Sequence, residues 1–300
     1  MKPRSDYTLS VLAVNLAVLL WGITPVFVKA ADATSSAVLA YRMAFAVPIA
    51  LLFFFKEGSR INRKVLMQAM LPGFMFFLST SSGYAAFQRT SIANAMIISQ
   101  LAPIIIMFSA PFLFKERLEW RRVVLAFVAL GGAIIVVFGG STIESGSLIG
   151  DGLAAINCIT WAGYFLIVKR RRDEGVMLWA FLAPVMFWAC LFSIVFGVLI
   201  GQSMSVSGLF NWTMIFSLAA FSVVAHGLLT WAQQRLEAVV ASLFMLAMPV
   251  VSAAAAWIVF NEVLAITQIV GGFIVISSLV AVSLVSKKNI ELIEQFPGTE

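Results

Sequence analysis

Charge is what this sequence has least of. Lysine, arginine, aspartate and glutamate make up 11% of its 300 residues, against roughly 25% in a soluble globular chain. That is too little to clothe a water-soluble core. Histidine occurs once, at His226, and cysteine twice, at Cys158 and Cys190. Both cysteines fall inside apolar runs without partners at ligand spacing, so neither a disulfide framework nor a metal or other cofactor is expected. No aspartate or glutamate stands at the centre of any long apolar run, Asp151 being near an end. The carboxylate relay of a proton- or sodium-coupled carrier is therefore missing. One histidine without a carboxylate pair also lacks the convergent groups that catalysis inside a membrane needs, so an enzyme is not expected. The net charge of +6 comes from short basic clusters between apolar runs. Without a basic helical face, nucleic acid is not expected as a partner.

Hydrophobic residues account for 61% of the chain, and mean hydropathy is +1.00. They fall into ten runs, at 8–29, 35–55, 65–87, 91–114, 121–139, 148–169, 176–200, 210–232, 237–260 and 265–285. Each is long enough to cross a hydrocarbon layer about 30 Å thick, which makes lipid a partner of the whole chain. The fold class expected is all-α and polytopic. Lys2 and Arg4 precede the first run and Ala31-Asp32-Ala33 follows it, a small-x-small pattern. The run exceeds the roughly 7 to 15 residues of a signal core, so it is read as a retained first helix. Basic residues favour the cytoplasm. With the N-terminus inside, all 20 lysines and arginines fall in cytoplasmic loops and tails except Lys29, Arg89 and Arg42. Both termini are expected to be cytoplasmic.

The second half repeats the first. At an offset of 146, Ala86, Arg89, Ala95, Pro103, Phe114, Glu116 and Leu118 face Ala232, Arg235, Ala241, Pro249, Phe260, Glu262 and Leu264. At an offset of 140, Trp21, Lys29 and Gly131-Gly132 face Trp161, Lys169 and Gly271-Gly272. A repeat with an odd number of helices enters the membrane in opposite directions in its two copies. The expected domains are thus two inverted five-helix halves, 1–145 and 146–300. Such halves suit alternating access, since each can gate one side of a shared central site.

A first helix reading WGITPVFVK, Arg42 in the second, and fourth and ninth helices closing with FLFKERL and IVFNEVL, each followed by a GG-containing helix, carry a resemblance. The chain resembles the drug/metabolite transporter superfamily, its ten-helix EamA-type exporters and, among them, the YddG-like amino-acid exporters. The resemblance implies efflux of aromatic and other neutral amino acids across a bacterial inner membrane. Closely similar patterns serve nucleosides and drugs.

A solute path needs polar and aromatic groups at bilayer depth. Helix 8 sets Ser222, His226, Thr230 and Gln233 on one face, helix 6 does so with Asn157, Trp161 and Tyr164, and helix 3 with Phe77, Thr80, Tyr84 and Gln88. Helix 4 adds Asn94 and Gln100. Trp21, Arg42, Thr80, Tyr84, Asn157, Trp161, Tyr164 and His226 are the expected substrate-binding set. Arg42 has two readings, snorkelling to the outer interface or pairing inward with a carbonyl or a substrate carboxylate. Single polar residues otherwise bridge helices, and a packed neutral His226 is the alternative to a proton carrier. Trp120, Trp179 and Trp212 lie near run ends and read as interfacial belt. Pro103 and Pro249, at matched places, are the expected hinges or, alternatively, static kinks. Gly131-Gly132 and Gly271-Gly272 are expected to let helices 5 and 10 pack closely, within a monomer or between protomers. Glu116 and Glu262 are expected to make contacts at helix ends. A carrier of small solutes, by facilitated transport or exchange, fits this set better than a channel, which needs a continuous polar lining.

Overall fold

The computed structural model describes residues 4–139, 147–201, 203–261 and 263–295. Among these, ten helices are long and apolar enough to cross a membrane: Asp6–Val28, Ser36–Lys56, Arg63–Phe87, Asn94–Phe114, Trp120–Gly139, Leu148–Asp173, Leu178–Leu199, Leu209–Gln233, Ala238–Phe260 and Ile266–Ser286. They are helices 1 to 10 below. Helix, turn and loop account for every described residue; no strand occurs among them. Glu262, expected at a helix end, lies outside the described residues.

Local chemistry sets where these helices start, break and stop. The Thr34 side chain accepts from the Ala37 amide at 3.2 Å and opens helix 2; the Ser91 hydroxyl accepts from the Asn94 amide at 3.1 Å and opens helix 4. Such caps supply acceptors for amides that have no partner within the helix. Helix 4 breaks between Ile92–Ser99 and Ala102–Phe114, and Pro103 stands in the first turn of the second piece. Helix 9 breaks likewise, through a 3-10 turn at Phe244–Ala247, with Pro249 in the first turn of Met248–Phe260. Proline lacks the amide hydrogen that would bond one turn back, and its ring crowds the carbonyl there, so a new helix starts at each. Both broken helices end on a left-handed residue, Lys115 at φ 57° and Asn261 at φ 54°. These two positions are also related by the offset of 146.

The helices pack chiefly across the sequence midpoint. Helix 1 lies against helices 8 and 9, helix 3 against helices 6 and 7, helix 2 against helices 7 and 8, and helix 4 against helices 6 and 9. Helices 5 and 10 form the most extensive pair. There Gly132 and Gly271 meet within one chain, and a Cβ on Gly132 would sit 2.9 Å from the Gly271 carbonyl oxygen. The outward surface is apolar, with Phe112, Leu148, Val198 and Phe273 among many exposed hydrophobics, as lipid requires.

Candidate functional site

Helix 8 turns its polar stripe inward: Ser222, His226, Thr230 and Gln233 are all buried. The His226 Nδ1 lies 3.0 Å from the Ser222 carbonyl oxygen. A carbonyl only accepts, so Nδ1 carries the hydrogen, and in the neutral ring Nε2 keeps a lone pair. That Nε2 is buried and has no partner. Aromatic rings enclose it: Phe76 at 4.7 Å, Trp21 at 4.8 Å, and Trp161 and Tyr164 each at 5.8 Å between ring centroids. Trp21 and Trp161, matched by the offset of 140, meet edge to face at 5.6 Å.

One turn away toward the start of helix 8, Arg42 reaches inward. Its Nη1 donates to the Tyr84 hydroxyl at 3.1 Å and its Nη2 to the Ser222 hydroxyl at 2.9 Å. The Arg42 Nε is buried without an acceptor. A polar atom left unpaired in a protein interior costs about 1 to 3 kcal/mol, more when charged, so each of these two atoms favours a partner such as a bound solute or water. Arg42, Tyr84 and Trp161 are half-buried, whereas Phe76, Tyr164 and His226 are buried.

Helices 1, 2, 3, 6 and 8 thus bring together Trp21, Arg42, Tyr84, Trp161, Tyr164 and His226. The other two residues of the expected set are engaged locally. The Thr80 hydroxyl donates to the Phe76 carbonyl of its own helix at 2.9 Å. The Asn157 Nδ2 donates to the Ser79 carbonyl at 2.7 Å and the Ser79 hydroxyl at 3.2 Å, tying helix 6 to helix 3 where Gly83 leaves room for it. Asn157→Ala is accordingly expected to lower stability by about 1 to 2 kcal/mol, read as a fall in thermal midpoint in detergent, with the half-saturation for solute unchanged. Phe77 faces Phe192 and Phe196 of helix 7, away from His226. Phe76, which no polar pattern singles out, is the residue that sequence reasoning missed.

Bonds between the first and second halves, with a few inside one half, tie the helices together at both ends of the bundle. At the end bearing the basic loops, Glu57 accepts from the Trp179 and Ala180 amides at 2.8 and 3.1 Å, capping helix 7. Glu116 accepts from the Ala238 and Val239 amides at 2.6 and 3.3 Å, capping helix 9. Carboxylates suit helix N-termini, where unpaired amides and the helix dipole favour negative charge. Arg122 pairs with Glu237 and Glu119, and Arg172 donates to Gln234 at 2.7 Å. At the opposite end, the Asn211 side chain binds the Asp32 amide at 3.1 Å, Tyr41 donates to the Met204 carbonyl at 3.0 Å, and Thr90 donates to Asp151 at 2.6 Å.

Burial pushes the Glu116 carboxyl above its ordinary value and nearby Glu237 adds to the effect, against the two amide bonds and Lys169. The folded chain therefore holds this proton more tightly than the unfolded one. The resulting stability is present in full below the ordinary value of 4.5 and is lost as pH rises through the folded value. Glu116→Gln is expected to flatten that segment of the curve, so its thermal midpoint changes less than that of the wild type between pH 4.5 and neutrality.

Ten apolar helices around a polar, aromatic centre define a multi-pass membrane protein. The family model described as the EamA-like transporter family matches twice in succession, over residues 8–138 and 148–284. The chain belongs to that family, within the drug/metabolite transporter superfamily, and is a membrane transporter of small solutes. A relative from Bacillus subtilis (strain 168), described as the uncharacterized transporter YyaM, is 25% identical over 260 residues, covering 83% of this chain and 84% of the relative. A solved crystal structure, described only as that of a protein, superposes with a TM-score of 0.79 at 17% identity over 93% of this chain and 98% of its own, which establishes the likeness of fold.

Proposed function

We propose that this transporter exports amino acids, aromatic and other neutral ones, across a bacterial inner membrane by alternating access, as a facilitated carrier or exchanger. The observation that carries this reading is the central cluster, in which Arg42, bonded to Tyr84 and Ser222, stands beside the Trp21–Trp161 pair. A guanidinium receives a carboxylate, and aromatic walls receive an apolar or aromatic side chain. The Bacillus relative supports the bacterial membrane.

Two inverted halves, 1–145 and 146–300, with both termini cytoplasmic, complete the proposal. The doubled family match supports it. So does the packing, because adding five to each helix number exchanges the pairs 1–8 and 3–6, 1–9 and 4–6, and 2–8 and 3–7, and leaves 2–7, 4–9 and 5–10 unchanged. Pro103 and Pro249, each starting the second piece of a broken helix, are the hinges at which one half bends against the other. The absence of acidic residues at mid-span in the sequence favours facilitated transport or exchange. The unpartnered His226 Nε2 supports a second reading, proton-coupled export of nucleosides or drugs through that ring.

Counterflow into vesicles holding the purified chain separates these. Preloaded neutral amino acids are expected to accelerate entry of labelled phenylalanine with saturation. Acceleration by nucleosides or cationic drugs alone would replace the amino-acid reading with the second one.

A further inference from the structure

The two unpaired atoms at the centre have opposite needs. Arg42 Nε presents a hydrogen without an acceptor, and His226 Nε2 presents a lone pair without a donor. Ser222 holds both groups in place: its hydroxyl accepts from Arg42 Nη2 at 2.9 Å and its carbonyl accepts from His226 Nδ1 at 3.0 Å. The carbonyl bond fixes which nitrogen of the imidazole is the acceptor, and the hydroxyl bond fixes where the guanidinium lies. Ser222 and His226 are one turn apart on helix 8, about 6 Å along its axis. A hydrogen-bond donor and a hydrogen-bond acceptor are therefore both positioned by the one residue, Ser222.

Their surroundings differ in the same sense. Trp21, Phe76, Trp161 and Tyr164 surround the imidazole, and an aromatic face turned toward an ammonium ion attracts it. Among the described residues Arg42 bonds the Tyr84 and Ser222 hydroxyls and no acidic side chain. A guanidinium takes a carboxylate by shape as well as charge.

We infer that this centre reads the zwitterionic head of an α-amino acid, with Arg42 binding the carboxylate while the His226 Nε2 lone pair binds the ammonium. The inference rests on the amino-acid reading above and adds which atoms hold each end of the solute. Both unpaired atoms are spent on the head group, and neither remains to select a side chain. The site consequently discriminates sharply between head groups and weakly among neutral side chains.

Counterflow of labelled phenylalanine in vesicles bearing the full chain tests this with unlabelled phenylalanine, phenylalanine amide and 3-phenylpropionate as competitors. The amide lacks the carboxylate and the propionate lacks the ammonium. Each is expected to compete about tenfold more weakly than phenylalanine on the wild type, the effect of one lost charge-assisted hydrogen bond. In Arg42→Gln the disadvantage of the amide is expected to vanish while that of the propionate persists; His226→Leu is expected to do the reverse. Arg42→Lys, which keeps a cation, is expected to retain part of the preference for the carboxylate. If Arg42→Gln fails to fold, the wild-type series still tests whether the head group is read, and Arg42→Lys tests whether Arg42 reads its carboxylate. Phenylalanine counterflow that all three compounds inhibit equally would overturn the head-group assignment and leave amino-acid transport standing. Absence of counterflow with any amino acid would overturn both.

Discussion

Gly132→Leu is expected to leave little properly folded protein. A Cβ there would lie 2.9 Å from the Gly271 carbonyl oxygen and 2.9 Å from Ile274 Cγ2, and the reciprocal Cβ on Gly271 would lie 2.7 Å from the Gly132 carbonyl oxygen. Backbone cannot turn aside as a side chain can, so helices 5 and 10 must separate along their shared length. Overpacking in a core costs about 1 to 3 kcal/mol and more where backbone must move, which is a large share of a marginal stability. Membrane helices have little hydrophobic drive to reassociate, since lipid is as apolar as their own side chains, and close packing carries the association. The control is next door: a Cβ on Gly131 meets nothing within 4 Å. Gly131→Leu should retain the wild-type thermal midpoint and a single monodisperse peak on gel filtration, and Gly132→Leu should lose both. Equal behaviour of the two would mean that this glycine contact does not hold the bundle together.

The largest effect on transport is expected at the tryptophan pair. Trp161→Ala removes the half-buried ring that meets Trp21 at 5.6 Å and His226 at 5.8 Å, and kcat/KM for the solute should fall about 10- to 100-fold, or about 1.4 to 2.8 kcal/mol. Trp21→Ala should do much the same. The double variant should lose less than the product of the two, because residues in direct contact are coupled. Trp120→Ala serves as the reference, that ring being 76% exposed at the start of helix 5, and its kinetics should match the wild type. Strict additivity at Trp21 and Trp161 would indicate that the two rings do not act on one solute.

The helices were legible in the sequence because membrane spans are written as uninterrupted apolar runs, and a run needs no knowledge of its neighbours. The matched breaks in helices 4 and 9 were legible as Pro103 and Pro249, although the 3-10 turn at Phe244–Ala247 was not, since it depends on packing around Leu243 and Leu246. Single-helix periodicity also set Ser222 and His226 on one face. It could not decide where Arg42 turns. The choice between interface and interior rests on Tyr84 and Ser222, which lie 42 and 180 residues away in the chain. Phe76 escaped for a different reason: a phenylalanine within an apolar run carries no mark of the ring it meets. Asn157 stood out as a polar residue on its helix face, but its bond to Ser79, 78 residues away, was not legible. Glu57 shows the same limit at the basic end, where its carboxylate caps a helix that begins 121 residues later. Polar periodicity finds the faces of helices, and contacts between helices decide what those faces do.

The most direct test of the central claim, a carrier whose solute passes the Trp21–Trp161–Arg42 centre, is uptake of labelled aromatic amino acids into vesicles bearing the wild type, Trp161→Ala or Tyr84→Ala, with and without a pH gradient. Saturable uptake that ignores the gradient and is lost in both variants is the predicted result. Uptake that persists undiminished in both variants would contradict the account, because the solute would then be taking a path that does not touch this site.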